Sequence, residues 1–390
     1  MSEFKIRKLT DRAGTGAPNF THGFNINGSD SGLVGFAHTE GSSEPSNPSN
    51  GDTWWDTGND KYYVYIDNEF KEYSIAAAAT LNYGDKASRA GFGTQQLNSL
   101  HTWDITTLGN ASDWKDLTRT TTARAAAASS ATYGFLFGGN TNGANSGPGV
   151  NNVDYYAFAN NTNATDFGDL SVASSINSAC SNGSRACVQI GWRYLSGSSV
   201  EVDTIDYFTM DTPGNATDFG DTTHARAPIG NVQVSNGTRG LFAGGYSATY
   251  TTGSNIIDYI TIATTGNAID FGDLTTSRYG LAGCGSGSGD RGLFVSGYPG
   301  GSYGVMDYVT ISTTGNATDF GDVFIGMSSS SGYIYVGACN NATRAVMLSA
   351  ADTNRMEYVT MDTTGNAADF GDQTNSTDNA HMACTSGNAS

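Results

Sequence analysis

Five near-identical Asp-Phe-Gly-Asp groups, beginning at Asp166, Asp218, Asp270, Asp319 and Asp369, set two carboxylates three residues apart at regular intervals along the chain. Paired carboxylates can hold a divalent cation, and Asp-Phe-Gly is a metal-holding signature of protein kinases. Here the groups stand without a phosphate-cradling glycine loop or a His-Arg-Asp segment. One pair per group also offers calcium too few of the roughly six to eight oxygens it takes. A structural role is expected, each Asp capping the turn that its own Phe anchors. Arginine recurs as well: Arg89, Arg185, Arg239, Arg291 and Arg344 precede similar short segments. That is too regular for one active site and fits bonding to carboxylates or carbonyls within or between units. His22, His38, His101, His224 and His381 lie in unrelated contexts, none beside a serine or cysteine in a nucleophile motif. Cys180, Cys284, Cys339 and Cys384 fall at one phase of a repeat, so they are expected to be too far apart for disulfides and to serve as small buried side chains. The Asn-Ala-Thr sequons read as by-products of a turn. No catalytic residue, metal or cofactor is expected, and the chain does not read as an enzyme.

The element that carries these groups is a repeated phrase, clearest as Asp258-Tyr-Ile-Thr-Ile-Ala-Thr-Thr-Gly-Asn-Ala-Ile-Asp-Phe-Gly-Asp-Leu274. Copies start at Asp154, Asp206, Asp258, Asp307 and Glu357, and a shorter one runs from Trp103 to Leu117. A period of roughly 50 residues is that of kelch-type propeller repeats. Each unit should hold four strands. In the unit from Thr275 to Val323 these are Leu281–Ser286, Arg291–Gly297, Val305–Ser312 and, after the Gly315-Asn316 turn, Ala317–Val323. Glycine-rich first strands suit the crowded axis of a propeller, where sheets converge. The C-terminal Asn379–Ser386 reads as a first strand without a successor, and Ser88–Gly93 as a second strand without a predecessor. The end of the chain is therefore expected to complete the first sheet and close a ring of six, removing exposed edges.

Fold class is thus all-β: a six-bladed kelch-like β-propeller over 84–390, with blades ending near 117, 170, 222, 274, 323 and 373 and with 374–390 completing the first. Residues 1–83 form a small β-rich region. Within it Asn25–Asn50 reads as linker, and a hairpin rich in Trp54, Trp55, Tyr63 and Tyr65 turns through Asp56–Asp60. So aromatic a hairpin should dock on the array or on another chain.

Lys and Arg number 19 against 37 Asp and Glu, a net charge of −18, which leaves no basic footprint for nucleic acid. No segment has the apolar length to cross a bilayer as a helix. The start lacks a secretion signal, so synthesis in a cytoplasm is expected. What varies between units is the loop after the second strand, with Trp192, Arg193 and Tyr194 in one, Tyr246 and Tyr250 in the next, and Tyr298 and Tyr303 in the one after. Aromatics among Ser, Gly, Thr and Asn suit stacking on sugars or a protein interface.

The repeat phrase resembles kelch-like repeats of tail and fibre-type proteins of marine tailed bacteriophages. Gly51-Asp-Thr-Trp-Trp-Asp-Thr with Tyr62-Tyr-Val-Tyr-Ile-Asp looks like a short module of phage tail proteins. The resemblance implies a virion protein, made in the infected bacterial cytoplasm and repeated as a homo-oligomer on the particle. Its N-terminal region would contact other virion proteins, and its propeller a host-surface glycan or protein. An architectural decoration or tail-wall subunit is the alternative; a glycan-cleaving enzyme is the third. The Gly-Gly of kelch repeats occurs here at Gly138-Gly139 and Gly244-Gly245 but gives way to Ile190-Gly191 and Ser296-Gly297, so no kelch binding residue carries over.

Overall fold

A computed structural model describes residues 38–58, 61–66, 68–72, 84–90, 97–121, 124–140, 149–195, 198–247, 249, 253–285, 290–298, 304–324, 336–349, 354–374 and 382–387. All regular structure among them is β-strand, so the protein is all-β. The chain divides at Ala78/Ala79 into two compact units.

The N-terminal unit is a four-stranded sheet, β1 (His38–Gly41), β2 (Thr53–Asp56), β3 (Lys61–Ile66) and β4 (Glu69–Glu72), in that order. β2 and β3 form the expected hairpin, Trp54 opposite Tyr63. Part of the stretch read as linker is instead β1, which pairs parallel with β2 from His38 opposite Thr53. The alternation of period two puts Trp54, Tyr63, Tyr65 and Phe70 on one face. There Trp54 stacks on Tyr63 at 4.9 Å and Tyr65 meets Phe70 edge-on at 5.0 Å. The indole N–H of Trp54 donates to Gly41 O at 3.0 Å, tying β1 to this aromatic row.

The second unit repeats one four-stranded antiparallel sheet. Its innermost strands are Ala126–Ser129, Ser178–Ser181, Val232–Ser235, Ala282–Gly285, Gly337–Asn340 and Ala383–Gly387. In the fifth repeat the remaining strands are Arg291–Val295, Val305–Thr310 and Thr318–Asp322, paired in chain order. Ala383–Gly387 pairs with Lys86–Ala90, so the chain's last strand is the innermost strand of the first sheet. Each innermost strand lies beside that of the next repeat, and Ala383–Gly387 lies beside both Gly337–Asn340 and Ala126–Ser129. Two neighbours, Val232–Ser235 and Ala282–Gly285, pair directly as parallel strands and merge their sheets into one of eight strands.

Serines and small residues explain how these strands approach so closely. Ser181 Oγ donates to Ser129 O at 2.8 Å, Ser235 Oγ to Ser181 O at 2.7 Å and Ser386 Oγ to Asn340 O at 2.5 Å, each linking one repeat to the one before. At Gly283 a Cβ would stand 2.8 Å from Val232 Cγ1, so a larger residue would push neighbours apart. An apolar core fills each space between consecutive sheets. Between the fourth and fifth, for example, Val232 and Leu241 meet Phe294 and Val309. Buried apolar area shared by neighbours, at about 25 cal/mol per Å², is what makes a single repeat unstable and a stack stable.

Candidate functional site

Three polar systems recur along the seams between sheets, the third lacking only at the second repeat, where Tyr133 takes the place of its cation. They account for most of the residues whose chemistry stands out in the sequence.

The first joins the Asp-Phe-Gly-Asp strand to the Gly-Asn turn of the next repeat. The backbone N–H of Asp273 donates to Asn316 Oδ1 at 3.1 Å, Gly315 N–H to Phe271 O at 2.8 Å and Ala317 N–H to Asp273 O at 2.7 Å. The same side-chain bond runs from Asp116 to Asn163, Asp169 to Asn215, Asp221 to Asn267 and Asp322 to Asn366; from the sixth repeat back to the first it runs from Asp372 to Asn110. Gly272 belongs to this clasp, with φ +145° and a would-be Cβ only 2.4 Å from Gly315 O. The aspartates therefore sit within fourth strands such as Ile269–Arg278, not at caps of turns. The sequence reading missed this because a clasp to the next repeat leaves no local signature beyond its residues.

The second system buries an acid on each third strand. Asp154, Asp206, Asp258, Asp307 and Glu357 are wholly inaccessible, with His101 in the same place of the first repeat. Each is met by the chain leaving the preceding sheet: Thr223 Oγ1 donates to Asp258 and Thr275 Oγ1 to Asp307, both at 2.6 Å, while Thr118 bonds Asp154 and Thr374 bonds His101. Arg226 pairs with Asp258 at 2.7 Å and Arg278 with Asp307 at 2.9 Å, all four side chains fully buried. At the third repeat Ser174 occupies the place of these arginines. Asp206 then receives the Ser171 N–H at 2.9 Å on Oδ2 and has no arginine partner. Burial pushes the Asp206 carboxyl above its ordinary range, against the Ser171 bonds that lower it. At His101 burial, helped by Arg89, pulls the imidazole down to about 4.

The third system is the recurrent arginine. Arg185, Arg239, Arg291 and Arg344 donate to carbonyls of the next sheet, at Ile262, Ile311, Met361 and Ile105, over 2.9–3.2 Å. Each lies over a tyrosine of its own sheet, as Arg291 does over Tyr308 at 4.4 Å. Arg89 is not their equivalent: the first-repeat member is Lys86, which donates to Phe158 O at 3.2 Å. Arg89 lies three residues on, buried, with Nη1 3.1 Å from Met382 Sδ. All five thiols are buried; Cys187 stands opposite Cys180 on the adjacent strand, a neighbour that the repeat phase did not reveal.

These systems leave one end of the sheets to be filled by residues that differ from repeat to repeat, where innermost strands begin and second strands stop. Trp192, Tyr246 and Tyr298 hold one position there, each following a glycine. All three are half-buried against a cluster containing Ile176, Ala227, Ile229, Tyr279 and Met382. Tyr279, absent from the sequence reading, lies between Tyr246 at 5.5 Å and Tyr298 at 5.2 Å and makes the three rings continuous. Trp192–Leu195 and Ser198–Glu201 form an additional hairpin that extends the second sheet through Ser174 and Ser175. Arg193 on it is exposed, and Val200 opposite is 42% exposed. Tyr194 lies in the same strand, whereas Tyr250 and Tyr303 fall outside the described residues. Trp54, Trp55, Tyr63 and Tyr65 gather in the N-terminal sheet. Arg124 and Ile176 at this end, and Ile229 beside them, take φ of +71°, +64° and +50°. For β-branched residues this is a strained backbone, held only where the surroundings over-determine it.

No group of three or more metal-ligating side chains occurs among the described residues, and no described helix is long and apolar enough to cross a membrane. The chain matches no protein-family model and no curated protein.

Proposed function

We propose that the six sheets close into a six-bladed, kelch-like β-propeller, and that this propeller is the outward part of a tailed-phage virion protein that binds the host surface. The Asp372–Asn110 clasp and the pairing of Ala383–Gly387 with Lys86–Ala90 support closure, since both join the last repeat to the first. The virion context is supported by the resemblance of the repeat phrase and of the Thr53–Ile66 hairpin to phage tail modules. On this reading the N-terminal sheet contacts other virion proteins, and several copies assemble on the particle.

One observation carries the choice of binding face. The clasps need the same residues in every repeat, whereas the other end carries Asn140, Trp192, Tyr246 and Tyr298 at one position. A contact surface can vary where the framework does not depend on it. Tyr and Trp there offer rigid amphipathic area at low entropic cost.

The test is adsorption of the purified protein to host cells. Wild type is expected to bind, and Tyr298→Ala and Tyr246→Ala to weaken binding at least tenfold while the thermal midpoint stays within a few degrees. Absence of adsorption, together with binding to another virion protein through this end, would establish the architectural role instead.

A further inference from the structure

The corner between the second and third repeats, beside Trp192, holds buried polar groups that the seam systems leave unused. Ser174 organises it: its Oγ lies 2.6 Å from Asn177 Oδ1 and 3.0 Å from Trp192 O. Gly191 N–H also donates to Asn177 Oδ1, at 3.3 Å, which fixes the amide so that its NH2 points away from both. That Nδ2 is buried without a partner, and so is Trp192 Nε1. Both atoms are donors only. Arg124, whose carbonyl accepts the Ile176 N–H at 2.9 Å, places its guanidinium 5.7 Å from the centre of the Trp192 ring. Buried N–H groups are almost always satisfied, so these two unpartnered donors imply a missing acceptor. The strained backbone of Arg124 and Ile176 falls in this same corner.

We infer that this corner is an oxyanion subsite, in which Asn177 Nδ2, Trp192 Nε1 and the Arg124 charge hold the carboxylate or sulfate of an acidic saccharide. The proposal deepens the host-binding reading and rests on it for the saccharide; the anion itself is argued from the donors. Net charge of −18 argues against adventitious attraction of anions, so specificity must come from the local donor set. Arg193 is exposed on the same hairpin, at the approach. Glu201, in register with Trp192, is the opposing carboxylate there.

The indole N–H resonance of Trp192, assigned by its loss in Trp192→Tyr, reports directly on the site. Sister repeats supply variants compatible with the fold: Leu281 holds the position of Asn177, and Gly280 that of Arg124. Titration of wild type with glucuronate and separately with sulfate is expected to shift the Trp192 resonance saturably. The anion bound more tightly identifies the group. Asn177→Leu and Arg124→Gly should each weaken binding about tenfold or more, the size of a charge-assisted hydrogen bond, and Glu201→Gln should tighten it. No saturable shift with either anion, or an unchanged titration in both weakening variants, would overturn the subsite. If cells still adsorb the protein in that case, host binding survives without it. If the anions bind but cells are not adsorbed, the subsite stands and the host reading falls.

Discussion

Arg226→Leu is the sharpest test of the seam electrostatics. Arg226 Nη1 lies 2.7 Å from Asp258 Oδ2, while its Nε donates to Gly244 O at 2.7 Å and Nη2 to Phe242 O at 3.2 Å. Both side chains are fully buried, so removing the cation leaves Asp258 with only the Thr223 bonds and takes one donor each from Gly244 O and Phe242 O. Breaking a buried pair from one side costs about 3–5 kcal/mol, because the remaining charge keeps its desolvation penalty. At about 2–4 °C per kcal/mol for a large domain, the thermal midpoint should fall well beyond measurement error. Arg226→Leu combined with Asp258→Leu should recover most of the loss, since a well-packed apolar pair avoids the penalty altogether. Urea denaturation of the wild type, both single variants and the double variant gives the coupling directly. A loss below about 1 kcal/mol for Arg226→Leu, or a double variant worse than the sum of the singles, would refute the assignment of this pair as the seam's charged lock.

Two further outcomes follow from the geometry. Because the folded-state pKa of His101 lies at about 4, below the ordinary 6.5, the unfolded chain takes up its proton first. The His101 contribution is therefore fully present above about pH 6.5 and lost as pH falls towards 4, worth about 3 kcal/mol over that window; His101→Gln should remove this part of the slope in acid denaturation, and identical profiles would disprove it. Deleting residues 379–390 strips the strand Ala383–Gly387, with buried Ala383 and Cys384, from the first sheet and exposes the edge of Lys86–Ala90. The loss should exceed about 5 kcal/mol, a large fraction of typical total stability, and an unchanged melting curve would count against the pairing.

The repeat period, the order of strands within a unit and the unpaired strands at the two ends could be read from the chain, because alternation, glycine turns and recurrence are local properties. Gly-Asn turns and small first strands announced themselves for the same reason. The meaning of Asp-Phe-Gly-Asp could not be read so, since its partner is an asparagine roughly 45 residues away on the next sheet, as Asp273 is to Asn316. Nor could Arg89 be told from Lys86. Both are basic residues near the start of a second strand, and only the pairing of Lys86 opposite Asp104 and Arg89 opposite His101 decides which one reaches the next sheet. How deeply the loop aromatics Trp192, Tyr246 and Tyr298 sit could not be read either, because Tyr279 and Ile229, which pack in the same cluster, come from another part of the repeat. Local pattern determines which strands form, since each depends on its own few residues. Contacts across seams determine which polar group meets which, and those partners become neighbours only when whole sheets stack.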